Sequence, residues 1–257
     1  ILVVGSGIEI AKLTAKRLKI GSKITVFKNF GTAMFKYNGY DVEFVGTRKE
    51  SYKKSSRNPI VKPGTLDDDL NRRDFTINTL GISLNKDSWG DLLDKFNGIT
   101  DLENKIIKTP LEPRQTFSDD PLRMLRAARF SSQLNFKIDK NSFNGLISEK
   151  ERIKIISPER ISEEINKIIM TSKPSVGFKI LESTGLLKII IPELTDLKGI
   201  EEIEGQKHKD NFYHTLEVLD NICLETENLW LRWAALLHDI GKAPTKQFVK
   251  KIGWTFH

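Results

Sequence analysis

The chain opens on an unbroken apolar run, Ile1-Leu2-Val3-Val4, closed by Gly5-Ser6-Gly7, a pattern that predicts a buried strand ending in a glycine turn. From Ile8 to Leu18 the apolar positions Ile10, Leu13 and Leu18 recur at helical spacing, which predicts a helix. Residues 23–35 and 40–48 then read as strands with a turn between them. Alternation within Asp41-Val42-Glu43-Phe44-Val45 sends Val42 and Phe44 to one face and Glu43 to the other. Thr65-Leu66-Asp67-Asp68 has the capping-box pattern, so a helix is expected to start here and to carry Arg72, Arg73 and Asp74. Residues 91–110 suggest a short strand, a turn and a return segment, with Pro110 and Pro113 flanking a domain boundary.

Beyond that boundary the pattern becomes helical. Asp119-Asp120-Pro121 offers a cap followed by a proline in the first helical turn, after which Leu122, Leu125 and Phe130 can face a core. Ser157-Pro158 begins another helix in the same way, with Ile161, Ile165, Ile168 and Ile169 on one stripe. On that helix Arg160 and Glu164 are four residues apart and are expected to form a structural ion pair. Helical patterning continues through residues 175–187 and into a tail that holds all four histidines.

Composition narrows the class. With 39% hydrophobic and 29% charged residues, the 257-residue chain suits a soluble, cytoplasmic protein of two or three units, and no apolar run is long enough to span a membrane. One cysteine, Cys223, excludes an internal disulfide and reads as a small buried residue. The net charge of +7 favours an anionic partner, nucleic acid first among them. Val4-Gly5-Ser6-Gly7 hints at a dinucleotide site, but the third glycine of that fingerprint is missing.

Chemistry concentrates in three stretches: Leu66–Leu80, Thr116–Phe136 and Ser157–Ile165. If the first is helical, Asp74 and Asn78 share a face from which they can bond ribose hydroxyls, while Arg72 or Arg73 suits a triphosphate. In the second, Asp120 and Arg123 lie three residues apart, so both can meet one ligand. A carboxylate accepts from an exocyclic amino group and a guanidinium donates to the ring acceptor beside it. Cytosine and adenine share that edge; uracil and guanine present a carbonyl beside an N–H and leave both groups mispaired. Asp119 precedes this pair, and Arg126 and Arg129 extend a basic arc, either as phosphate or RNA contacts or as salt-bridged scaffold.

Together these motifs resemble the tRNA nucleotidyltransferase/poly(A) polymerase family, and more narrowly the class II CCA-adding enzymes with a C-terminal HD domain. The resemblance implies an α+β protein: a polymerase-β-like head over 1–110, a helical neck and body over 111–200 that selects the nucleotide and binds RNA, and the start of an HD domain over 201–257. It implies addition of CMP and AMP from CTP and ATP to the 3′ acceptor end of tRNA, with Mg2+ in the head. The family's Asp-x-Asp pair would fall just ahead of Val3-Val4-Gly5. It does not occur in this sequence, which lacks an initiator Met and reads as an inactive fragment with an incomplete head. Glu43 resembles the auxiliary strand carboxylate of such heads. The tail, with His208, His214 and Leu236-Leu237-His238-Asp239-Ile240-Gly241-Lys242, resembles an HD domain in which His214, His238 and Asp239 bind a divalent transition metal; His208 and His257 are weaker candidates. The alternatives are a poly(A) polymerase of the same family, an HD phosphohydrolase with a non-functional head, or an RNA-binding relic.

Overall fold

The computed structural model describes residues 1–20, 24–53 and 56–256, and the chain divides into two compact units, Ile1–Asp74 and Phe75–His257. The first holds β1 (Leu2–Val3), α1 (Gly7–Arg17), β2 (Thr25–Phe27), β3 (Thr32–Tyr37) and β4 (Tyr40–Gly46). The strands form one sheet in the order β1-β4-β3-β2, with β1 parallel to β4 and β3 antiparallel to both its neighbours. A two-residue turn, Asn38-Gly39, joins β3 to β4 with positive φ at both residues (48° and 83°), the geometry that matches strand twist. Phe35 and Phe44 stack 5.5 Å apart beneath α1, and Ala11 and Ala15 complete this small core.

The glycines of the opening motif serve that packing. A Cβ on Gly7 would lie 2.8 Å from the backbone of both Gly46 and Phe44, and one on Gly46 would lie 2.7 Å from the Gly5 carbonyl. The motif therefore lets a helix approach a strand backbone closely. A hairpin of β5 (Arg48–Lys53) and β6 (Ser56–Pro63) follows, then α2 (Leu66–Asn71). Thr65 caps α2 in a complete capping box with Asp68, as the sequence pattern predicts. The helix ends earlier than expected: Arg72 is its C-cap, and Phe75 is extended (φ −135°, ψ 152°) and fully buried. Arg73 and Asp74 thus lie beyond the helix, and Asp74 and Asn78 do not share a helical face.

The second unit begins with β7 (Gly81–Ile82), β8 (Leu92–Leu93), α3 (Gly98–Glu103) and β9 (Ile106–Ile107). Its helical part runs through α4 (Pro113–Asp119), α5 (Leu122–Leu134), β10 (Lys137–Ile138), α6 (Lys140–Glu149), α7 (Pro158–Ile169), α8 (Pro174–Ser183), α9 (Leu186–Ile190) and α10 (Pro192–Asp196). After β11 (Glu202–Ile203) and β12 (Gln206–Lys207) come α11 (Asn211–Ile222), α12 (Leu229–Leu237), α13 (Lys242–Thr245), β13 (Lys246–Val249) and β14 (Gly253–Phe256). Phe75 and Ile107 share one core with Leu125, Ile165, Phe178 and Leu216, so residues 75–110 pack with the helices. β9 pairs in parallel with β10, and Thr76 is bound through its hydroxyl to buried Asp101 at 2.7 Å.

Helices α11 and α12 are joined to α7 and α8 by polar contacts as well as apolar ones. Arg232, 4% exposed, donates from Nη1 to the carbonyls of Ile169 (3.0 Å) and Thr171 (3.1 Å), from Nε to Thr226 (2.9 Å) and from Nη2 to Cys223 (3.3 Å). It thereby satisfies carbonyls left over at the ends of α7 and α11. Asp220 accepts from both the backbone and the hydroxyl of Ser175 at the start of α8. Burial pushes the thiol of Cys223 upward in pKa, in keeping with a packing role for it.

Replacing Arg232 by Met keeps much of the volume and strands these carbonyls. The expected cost is about 1–3 kcal/mol for each carbonyl left without a donor. At this chain size that lowers Tm by roughly 10 °C in a circular-dichroism melt. A shift within about 2 °C would show that the carbonyls find other donors.

Candidate nucleotide and metal sites

The end of α2 carries a compact network of opposite charges. Asp69 is fully buried, and its two oxygens are divided between two guanidiniums. Oδ1 accepts from Arg72 Nε (3.0 Å) and Nη2 (2.6 Å), and Oδ2 from Arg73 Nε (3.2 Å) and Nη2 (2.9 Å). Arg72 is also 3.3 Å from Glu50, which in turn pairs with Arg48 at 2.7 Å. The sequence reading missed Asp69, Glu50 and Arg48. For Asp69 a signal was present, since an acid three and four residues ahead of two arginines is pairing geometry on a helix. Glu50 and Arg48 come from a hairpin strand, so only tertiary structure brings them to Arg72. Glu43 is exposed on β4, on the face opposite Phe44, and joins no cluster of three metal-ligating side chains among the described residues. The head residues described here therefore do not by themselves fit a two-metal centre.

On α5 the cap forms as expected: Asp120 Oδ1 accepts from Leu122 N at 3.2 Å, and Pro121 takes helical dihedrals. Arg123 is 8% exposed and donates from Nη1 to the Thr116 carbonyl at 3.1 Å, which orients its guanidinium. Asp119 accepts from Gln115 on the preceding turn. Arg126 and Arg129 both lie over the Phe130 ring, at 5.2 and 4.4 Å from its centroid. Arg129 also forms a buried ion pair with Glu164 at 3.2 Å, and Lys167 reaches Glu164 at 2.8 Å. Glu164 is thus taken by α5 and by its own following turn, and the expected pair with Arg160 does not form. Helical spacing permits Arg160, but Glu164 faces the core, where Arg129 is presented.

In the tail, ligand atoms of His214, His238 and Asp239 lie within 4.8 Å of one another. His214 sits in the first turn of α11 and His238 just past α12, so the packing of these two helices brings them together. The ring nitrogen Nδ1 of His238 faces the Ala235 carbonyl at 2.7 Å, a contact that sets Nδ1 as donor and leaves Nε2 as the lone-pair nitrogen. Asp239 is buried and paired with Lys242 at 2.8 Å. Two imidazoles and a carboxylate at this spacing fit a divalent cation. His208 does not join them: Nδ1 meets the Lys209 carbonyl and Nε2 accepts from Glu201 N. His257 lies outside the described residues.

Three family models match the chain. They are the poly A polymerase head domain over 1–108, a probable RNA- and SrmB-binding site of polymerase A over 135–198, and the HD domain over 211–257. The multifunctional CCA protein of Pseudomonas fluorescens (strain SBW25) is 36% identical over 187 residues, covering 70% of this chain and 44% of that protein. The chain belongs to the tRNA nucleotidyltransferase and poly(A) polymerase family.

Other relatives agree. The A-adding tRNA nucleotidyltransferase of Aquifex aeolicus is 37% identical over 181 residues, 70% of this chain and 21% of that protein. A solved tRNA nucleotidyltransferase complexed with a primer tRNA and an incoming ATP analog superposes with a TM-score of 0.69 at 28% identity, over 93% of this chain and 66% of that one. The chain spans less than half the length of these two curated relatives. Like this family, it has a nucleotidyltransferase head of mixed α and β structure and an HD segment. No helix among the described residues is long and apolar enough to cross a membrane.

The HD trio generates a direct test. Isothermal titration with Mn2+ or Zn2+ should detect a site that His238→Ala weakens by more than about tenfold while the melting profile stays in place. Unchanged affinity would remove His238 from the ligand set.

Proposed function

We propose that the protein containing this chain adds CMP and AMP, drawn from CTP and ATP, to the 3′ end of tRNA without a nucleic-acid template. In the reaction the terminal 3′ hydroxyl attacks the α-phosphorus, the bond to the β-phosphate breaks, and pyrophosphate leaves. Divalent ions, Mg2+ by preference, supply charge neutralisation and activation of the hydroxyl in transfers of this kind. The residues here serve selection and binding.

The observation that carries the reading is the pair Asp120 and Arg123 at the start of α5. Asp120 spends one oxygen on the helix cap, and Oδ2 has no partner among the described residues. Arg123 is held in place by the Thr116 carbonyl. Such a carboxylate and guanidinium accept from the amino group and donate to the ring acceptor of cytosine or adenine. Arg72 or Arg73 serves the triphosphate and Asp74 the ribose, with Asn78 as a further ribose contact. Arg126 offers its charge to phosphate, whereas Arg129 is committed to Glu164. The basic character of the chain suits tRNA as partner.

A second reading draws on the HD trio, which supports metal-dependent phosphohydrolysis in the same protein. His238→Ala and Asp239→Ala in the full-length protein would then lower phosphatase or phosphodiesterase activity and leave nucleotide addition largely intact. Equal loss of both would make the HD segment a support for the body.

Base selection is tested by Arg123→Ala in the full-length protein, with kcat/KM measured for the four nucleotides. Use of UTP and GTP relative to CTP and ATP should rise by roughly tenfold to a hundredfold, the worth of one good bidentate base contact. A uniform loss across all four nucleotides would make Arg123 structural. Affinity for tRNA should fall steeply with added salt, because phosphate contacts release counterions. A binding constant indifferent to salt would count against the RNA partner.

A further inference from the structure

Two adjacent arginines follow α2, and the structure treats them differently. Arg72 is held on two sides, by Asp69 Oδ1 at 2.6 Å and by Glu50 at 3.3 Å, and its side chain is 18% exposed. Arg73 meets Asp69 Oδ2 at 2.9 Å through its Nε/Nη2 edge, and its side chain is 34% exposed. Among the described residues that carboxylate is the one partner of the Arg73 guanidinium, whose remaining N–H groups lie away from it. Asp69 itself has no exposure and gives one oxygen to each arginine. A carboxylate removed from water and placed between two cations keeps both guanidiniums in fixed planes, and a fixed plane is what bidentate recognition of a phosphate needs.

We propose that Asp69 is a positioning residue for nucleotide binding: it aims Arg73 at the triphosphate, while Arg72 is the lock that ties α2 to the β5 strand through Glu50. This rests on the nucleotidyltransferase reading and adds a division of labour within it. Asp69 acts through Arg73 and touches no substrate. An amide at this position accepts from one guanidinium and turns an N–H toward the other, so Asp69→Asn releases one arginine while leaving the size of the side chain unchanged.

The test is a double-mutant cycle of Asp69→Asn and Arg73→Met in the full-length protein, followed by steady-state kinetics with ATP and CTP. Asp69→Asn should raise both KM values by about tenfold, keep their ratio, and change kcat by less than about threefold. In the Arg73→Met background the same substitution should raise KM by less than about twofold, since the group it acts through is gone. Losses that multiply, or a changed ATP to CTP ratio, would overturn the assignment. Should Asp69→Asn fail to fold, the single arginine variants decide. Arg73→Met is expected to raise KM without moving Tm, and Arg72→Met to lower Tm with the smaller effect on KM; the reverse pattern overturns the proposal. Calorimetry with inorganic tripolyphosphate supplies a readout independent of transfer. Weaker binding in Asp69→Asn and Arg73→Met supports the anion role, and unchanged binding refutes it. If the unmodified protein incorporated neither CMP nor AMP, the transfer reading would fail while the tripolyphosphate result still judged Asp69.

Discussion

A guanidinium taken out of water must be surrounded by acceptors, and much of this molecule is arranged around that requirement. Arg232 is surrounded by carbonyls of Ile169, Thr171, Cys223 and Thr226. Arg129 is met by buried Glu164, Arg123 by the Thr116 carbonyl, and Arg72 and Arg73 by buried Asp69. Removing the carboxylate from one of the ion pairs leaves an uncompensated buried charge, at a cost of about 3–5 kcal/mol. Removing an arginine from its carbonyls leaves buried acceptors unsatisfied, at about 1–3 kcal/mol each. That cost makes these contacts rigid joints. They lie at the end of α2, near the start of α5, between α5 and α7, and between α7 and α12.

These joints give the proposed chemistry its setting. Helix α5 buries Met124, Leu125, Ala127 and Ala128 and is tied to α7 through Arg129 and Glu164. Arg123 and Asp120 therefore stand on an element with little freedom to adjust. Fixed polar groups discriminate between bases better than mobile ones, because a mismatched base leaves them unpaired. The HD trio is built in a similar way. His238 is oriented by the Ala235 carbonyl and Asp239 is held by Lys242, and α11 and α12 are anchored to the body by Arg232 and Asp220.

Much of this was legible along the chain. The capping box at Thr65, the Asp120–Pro121 start of α5, the isoleucine stripe of α7 and the histidine pair with Asp239 all depend on spacings within one element or on a well-marked motif. The three motif-bearing stretches were specific enough to imply the family, which the matched family models bear out.

Sequence alone therefore determined the first strands and helix of the head, the main helix starts, the α+β character, the family and the chemical identity of the candidate groups, because each follows from local periodicity or local motif. Tertiary structure decided where α2 ends, that residues 75–110 join the helical core, that Glu164 chooses Arg129 over Arg160, and that His208 stands outside the metal trio. Each of those outcomes is a competition between partners. Helical spacing offered Glu164 both Arg160 and Lys167 on its own helix, and the packed chain added Arg129 from α5; Arg129 and Lys167 meet its two oxygens. Which partner is buried is a property of the packed chain, and no local pattern encodes it.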